Sequence, residues 1–234
     1  MQPDRMEGDR VEAEPGEVVP VEGDAVEDFA VAAVPALWHP LRLRVEDDLR
    51  RSRLSVLLRL VLVLPQVVWA VFWANAMLWL VPFLWLATLF SGRLEEDAHR
   101  FVARWVRYNV HLNAYLYLLA NPYPRFFGRP HEYPLDLEVA DSAPQSRWSV
   151  GLRLLLAIPA LIFASVVASI LFAVAFLGWF TALALGRMPR GMRDLGAYCL
   201  RYQAQTYGYL FLLTPRYPTI GGGATGIDPP ATRY

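Results

Sequence analysis

Lysine is absent from this chain: all 22 basic residues are arginine. Four further scarcities narrow the reading. There is one cysteine, Cys199, so no intrachain disulfide can form. Histidine is limited to four residues. The N-terminus is acidic and has no early apolar core, unlike a signal peptide. Ionisable groups are nearly missing from two long stretches. Residues 54–90 hold only Arg59, and residues 148–185 hold only Arg153. A run of about 20 apolar residues already spans a bilayer as a helix. With 55% hydrophobic residues and a mean hydropathy of +0.27, the chain reads as an integral membrane protein. An all-arginine basic set is what a GC-rich bacterial coding sequence produces, which places the protein in a bacterial inner membrane.

The net charge of zero conceals a division. Residues 1–38 carry ten acids and two arginines, and the remainder carries twenty arginines and twelve acids. Residues 1–38 sustain no hydrophobic period, so they read as a disordered acidic tail, with a protein partner as one use for it. Residues 227–234 read as a flexible C-terminal tail.

An internal repeat organises the rest. "RSRLSVLLRLVLVLP" (51–65) aligns with "QSRWSVGLRLLLAIP" (145–159), and "RYNVHLNAYLYLLANPYP" (107–124) with "RYQAQTYGYLFLLTPRYP" (201–218), both at an offset of 94. Residues 39–124 and 133–218 match at 29 of 86 positions without a gap. The units are 39–132 and 133–226. Shared arginines are Arg53/Arg147, Arg59/Arg153, Arg93/Arg187 and Arg107/Arg201. They are the candidate sites for topology anchoring or binding of anionic lipid headgroups, with Arg59 and Arg153 snorkelling from inside the apolar runs. Pro65/Pro159, Gly92/Gly186 and Tyr115/Tyr209 are shared structural positions.

Each unit begins with a period-2 segment: Leu41, Leu43 and Val45 alternate with arginines, and Leu135, Leu137 and Val139 with acids. Two short strands are predicted, and pairing them would oppose unlike charges. Next comes the apolar run. At 37 residues (54–90) it would be about 55 Å long as one helix, against a hydrocarbon core of about 30 Å. It is either a hairpin of two passes turning near Asn75 and Ser169 or one long kinked helix. Arginines at both ends favour the hairpin, with both ends and the N-terminus cytoplasmic. A hairpin per unit makes the two units parallel. An amphipathic helix follows (99–120 and 192–214), whose basic face suits the membrane interface. The fold class is therefore all-α integral membrane, with two tandem parallel repeats.

This order resembles a bacterial membrane family known as domain of unknown function 4389. A Leu-Arg-Leu helix start leads to an apolar run closed by Gly-Arg, and then to an Arg-x7-Tyr-Leu helix ending in Tyr-Pro. The pattern is present twice over residues 39–218. The resemblance implies membrane location and no established activity.

Chemistry is sparse. The counterparts of His39, His99, His111 and His131 are Tyr133, Arg193, Gln205 and Thr225, so no histidine is shared between units. None stands at metal-ligand spacing. "GGGATG" (221–226) lacks the Lys-Ser/Thr ending of a phosphate loop. The apolar runs carry no ionisable group at mid-depth, where ion-coupled transporters place them. The reading is a non-enzymatic scaffold or accessory subunit without cofactor, metal or nucleic acid. The alternative is a lipid-binding or transport protein with a path between the units.

Overall fold

The computed structural model describes residues 39–46, 49 and 51–221. The acidic tail and the C-terminal tail lie outside these residues. The elements are β1 (Leu41–Val45), α1 (Arg53–Leu62), α2 (Leu64–Ser91), α3 (Glu96–Leu116), β2 (Leu135–Val139), α4 (Arg147–Gly151), α5 (Arg153–Leu185) and α6 (Arg190–Leu210). Both predicted strands are present. They form one antiparallel pair in the register Leu41↔Val139, Arg42↔Glu138, Leu43↔Leu137, Arg44↔Asp136 and Val45↔Leu135. Opposite charges face one another, as the alternation requires.

The apolar runs are helices without a turn, which corrects the hairpin. Asn75 and Ser169 sit mid-helix, where each side chain bonds back to the carbonyl one turn earlier: Asn75 Nδ2 to Val71 O (2.9 Å) and Ser169 Oγ to Ser165 O (3.1 Å). Neither position carries the glycine or proline that would break a helix so strongly apolar. The long kinked helix is the form observed.

The two shared prolines do not occupy equivalent places in it, which corrects the expectation of one structural role for Pro65 and Pro159. Pro65 has no N–H to donate and stands in the first turn of α2, just after the one-residue break at Val63, where no helical partner is required. Pro159 lies inside α5, because the second run breaks earlier, at Leu152. There its missing N–H removes the bond that Leu155 O would accept, so Pro159 interrupts a continuous helix without ending it. Gly92 (φ +77°) and Gly186 (φ +67°) do share a role: they end α2 and α5 in the left-handed conformation that favours glycine.

Loss of the hairpin reverses the relation between units. Arg51 N–H donates to Gly186 O (3.0 Å), and its repeat counterpart Gln145 N–H donates to Gly92 O (2.8 Å). The start of each long helix therefore lies beside the end of the other. With one run per unit instead of two, the units are antiparallel, not parallel. The pseudo-two-fold axis passes through the Leu43↔Leu137 pair, because these residues are themselves repeat counterparts.

The amphipathic helices occupy the middle of three layers. α2 and α5 pack on one side through narrow stripes: Gln66, Trp73, Met77 and Thr88 on α2, and Ala157, Ala160, Ala164, Val167 and Leu171 on α5. The strand pair packs on the other side, with Leu41, Leu43, Leu135 and Leu137 at most 1% exposed. The basic faces expected for α3 and α6 are therefore covered in part, while Arg100 and Arg104 stay exposed. Their polar faces carry Arg107, His111, Arg201 and Gln205, but these side chains are buried. Periodicity shows that a helix has a polar face; it does not show what covers it.

Candidate functional site

The shared arginines divide by burial. Arg59 is 2% exposed and Arg153 fully buried. Arg59 Nη1 donates to Tyr115 O (2.6 Å) and Ala120 O (3.2 Å), with its guanidinium 4.2 Å from the Tyr115 ring centre. Arg153 Nη1 repeats this on Tyr209 O (2.8 Å) and Thr214 O (3.4 Å), 4.5 Å from the Tyr209 ring. Each arginine clamps the C-terminus of its unit's amphipathic helix, where unpaired carbonyls and the helix dipole attract a cation. The expectation that Arg59 and Arg153 snorkel to headgroups is overturned, because their donors are turned inward onto protein carbonyls. Tyr115 and Tyr209 are shared because each supplies both a carbonyl and a ring.

A second clamp sits beside the first. Arg51 donates to Leu118 O (Nε 3.1 Å, Nη2 3.0 Å) and Leu119 O (3.0 Å), and Gln145 Nε2 donates to Leu212 O (2.7 Å). Leu118 and Leu212 are counterparts in left-handed backbone, at φ +64° and +67°. This conformation is costly for leucine. Positions 51 and 145 hold it in place, although one is arginine and the other glutamine. A search for identical residues misses that equivalence.

Arg107 and Arg201 bind the segment that follows each helix. Arg107 Nε donates to Leu137 O (2.9 Å) and Nη1 to Gly128 O (3.2 Å); Arg201 Nη1 donates to Gly221 O (3.3 Å). The other four shared arginines, Arg53, Arg93, Arg147 and Arg187, are exposed at the ends of the long helices. Arg53 also donates to Ala184 O (3.1 Å).

One buried cluster joins α3 of the first unit to β2 of the second and is not repeated on the other side of the axis. Asp136 Oδ1 lies 2.8 Å from His111 Nε2 and 3.4 Å from Arg107 Nε. It also accepts from Leu137 N–H (2.8 Å), while Oδ2 accepts from His131 N–H (2.6 Å). Burial opposes ionisation of Asp136, but the His111 and His131 bonds and the Arg107 charge overcome it and hold the carboxyl below its usual range. Tyr133 stacks on the His111 ring at 4.8 Å. In the second unit Gln205 takes the place of His111, with Nε2 donating to Leu41 O (3.3 Å) and Oε1 accepting from Thr219 N–H (3.1 Å). The sequence gives no signal for this cluster, because His111 and Asp136 lie 25 residues apart in different units and their counterparts are Gln205 and Arg42. Cys199 is buried, and burial pushes its thiol up to about 11, away from reactivity. Among the described residues, no group of three His, Cys, Asp or Glu side chains could hold a metal ion.

The largest feature of the surface is apolar. The exposed residues of α2 are apolar except Asn75 and Ser91, and those of α5 except Ser165 and Ser169. All four polar side chains bond to backbone carbonyls close by in sequence. Leu64–Ser91 and Arg153–Leu185 are long and apolar enough to cross a membrane. A soluble protein's core helix passes the same composition test, but it would be enclosed, whereas most of each of these helices is not.

Neither a curated protein nor a solved structure matches this chain. A family model does, twice, over residues 53–128 and 147–220, covering more than half of the sequence with one copy in each unit. The chain accordingly belongs to the family described as Domain of unknown function (DUF4389), in two tandem copies.

Proposed function

We propose that this protein is a non-enzymatic scaffold or accessory subunit resident in a bacterial inner membrane, with its N-terminus in the cytoplasm. The observation that carries the membrane reading is the exposed apolar surface of α2 and α5, whose few exposed polar side chains each donate to a nearby backbone carbonyl. The scaffold reading is supported by where the polar chemistry is spent. Arg59, Arg107, Arg153, His111 and Asp136 are buried and bonded to the protein itself. Such groups hold a shape; they do not face a substrate.

The exposed shared arginines Arg53, Arg93, Arg147 and Arg187 are available to anionic headgroups. Among the arginines shared by the two units, a lipid-handling role would draw on these, since Arg59 and Arg153 are committed elsewhere. The acidic residues 1–38 are the proposed contact for a protein partner.

The test is purification from native membranes under mild detergent. The scaffold reading expects resistance to alkaline extraction and a stoichiometric protein partner that is lost when residues 1–38 are deleted. Retained lipid without any protein partner, reduced when the four exposed arginines are changed to glutamine, would replace it with lipid handling.

A further inference from the structure

The membrane reading leaves open how the long helices meet the bilayer, and the pseudo-two-fold axis bears on this directly. It runs through Leu43 and Leu137 at the centre of the strand pair. The strands lie over the middle of the long helices, as a chain of contacts shows. Leu137 O accepts from Arg107; the neighbouring Tyr108 ring stacks on Trp73, at 6.3 Å, midway along the α1–α2 run. On the other side of the axis Leu41 O accepts from Gln205 of α6, and Tyr202 on the same helix meets Phe163 of α5 edge-on at 4.8 Å.

If α2 and α5 crossed the bilayer, the axis would lie in the membrane plane and the strand pair would sit at the bilayer midplane. That would place Arg44, Glu46, Glu138 and Asp141 in hydrocarbon, yet all four are at least partly exposed. Length points the same way. The 33 residues of α5 make a helix of about 50 Å, which would need a tilt of about 50° to fit a core of about 30 Å, beyond the usual 0–40° range. A third observation is the placement of the exposed arginines. Arg53 reaches Ala184, close to Arg187, at one end of the helix pair; Arg147 and Arg93 flank the Gln145–Gly92 contact at the other. The axis exchanges these ends, so crossing helices would put a pair of arginines on each side of the membrane, against the one-sided preference for positive charge.

Resting on the membrane reading, we infer that α2 and α5 lie along the membrane within a single leaflet and cross neither way. The apolar outer faces of the two helices enter the acyl chains, the axis stands along the membrane normal, and the strand pair faces water. Both ends of each helix then lie at one depth, and the shared arginines Arg53, Arg93, Arg147 and Arg187 all reach the headgroups of one leaflet. The protein is a monotopic raft whose occupant is the hydrocarbon of that leaflet.

The test uses the full-length chain in sealed native membrane vesicles, with Cys199→Ala as background. Single cysteines replace Ser52 and Ser91, at the two ends of the first long helix, and Glu138 on the strand pair. A membrane-impermeant maleimide should label all three from the same face. Labelling of Ser52→Cys and Ser91→Cys from opposite faces overturns the inference and leaves membrane residence standing. Recovery of the chain in the soluble fraction overturns both. Nitroxides at Leu60→Cys, Asn75→Cys and Phe90→Cys in phospholipid vesicles give an independent reading. A single-leaflet helix places them at similar depth, whereas a crossing helix places the central label deepest, with the others about 22 Å away along its axis.

Discussion

Leu43 pairs with Leu137 across the strand ladder, and each is the other's counterpart in the 94-residue repeat. One backbone pairing thereby fixes how the two units are related. Within that frame Arg59 and Arg153 meet counterpart carbonyls, at Tyr115/Ala120 and Tyr209/Thr214. The shared arginines, glycines and tyrosines maintain joints both within a unit, as Arg59 does on Tyr115, and between units, as Gly186 does with Arg51.

The arginines should separate into two classes on mutation. Arg59→Ala and Arg153→Ala each remove charge-assisted bonds to helix-end carbonyls, a ring contact and buried packing, a loss of about 3–5 kcal/mol. Arg93→Ala and Arg187→Ala, at exposed positions, should stay within about 0.5 kcal/mol of the parent. Thermal unfolding in detergent checks this, and equal losses at all four positions would refute the division.

Gly128 has no room for a side chain. A Cβ there would lie 2.2 Å from Arg104 O and 2.5 Å from Tyr108 N, both backbone atoms of α3 that cannot swing aside. Gly128→Ala should cost about 2 kcal/mol or more. Gly191, where a Cβ meets nothing, should accept alanine with little change or a small gain. Comparing the two melting temperatures tests the close approach of this loop to α3.

The strand register predicts a charge-swap rescue. Glu138 lies opposite Arg42, so Glu138→Arg should destabilise by about 0.2–1 kcal/mol, and adding Arg42→Glu should restore most of it. Additive losses in the double-mutant cycle would contradict the register. Asp136 should behave differently, because its carboxylate is held by His111 and His131 in addition to facing Arg44 across the ladder. Asp136→Asn should cost more than Glu138→Gln, and reversing the charge at Arg44 should not compensate.

Stability should fall on acidification in two stages. Burial, aided by the nearby charges of Arg216 and Arg201, lowers His39 from 6.5 to about 4. The unfolded chain therefore takes up a proton below pH 6.5 that the folded chain resists, and up to about 3 kcal/mol is lost between pH 6.5 and 4. Asp136 is shifted below its ordinary value, so its contribution is present above about pH 4 and declines as pH falls through the lowered value. Unfolding measured against pH should show His39→Gln flattening the upper stage and Asp136→Asn the lower one.

Much of the fold was legible in the sequence. Alternation located both strands, the fixed offset located both units, and Gly92 and Gly186 marked where the long helices stop. What failed was anything set by a distant partner. Arg59 inside an apolar run is compatible with snorkelling or with burial, and the choice depends on carbonyls more than 50 residues later. The polar faces of α3 and α6 suggested an interfacial helix with an open basic face, because the strands that bury Arg107, His111, Arg201 and Gln205 come from elsewhere in the chain. Asn75 suggested a turn because its own bond to Val71 O is invisible in composition. Identity between copies also misled at Pro159, since a proline shared with position 65 says nothing of where each helix happens to break.

The antiparallel relation of the two units underlies the whole fold, and one cross-linking experiment addresses it. With Cys199→Ala as background, a short bis-maleimide should join Ser52→Cys to Arg187→Cys and Ser146→Cys to Arg93→Cys, pairs that flank the Arg51–Gly186 and Gln145–Gly92 contacts. It should fail to join Ser52→Cys to Ser146→Cys. Efficient intramolecular linkage of Ser52 to Ser146, with none of the crosswise pairs, would show parallel units and contradict the fold relation set by the Arg51–Gly186 and Gln145–Gly92 contacts.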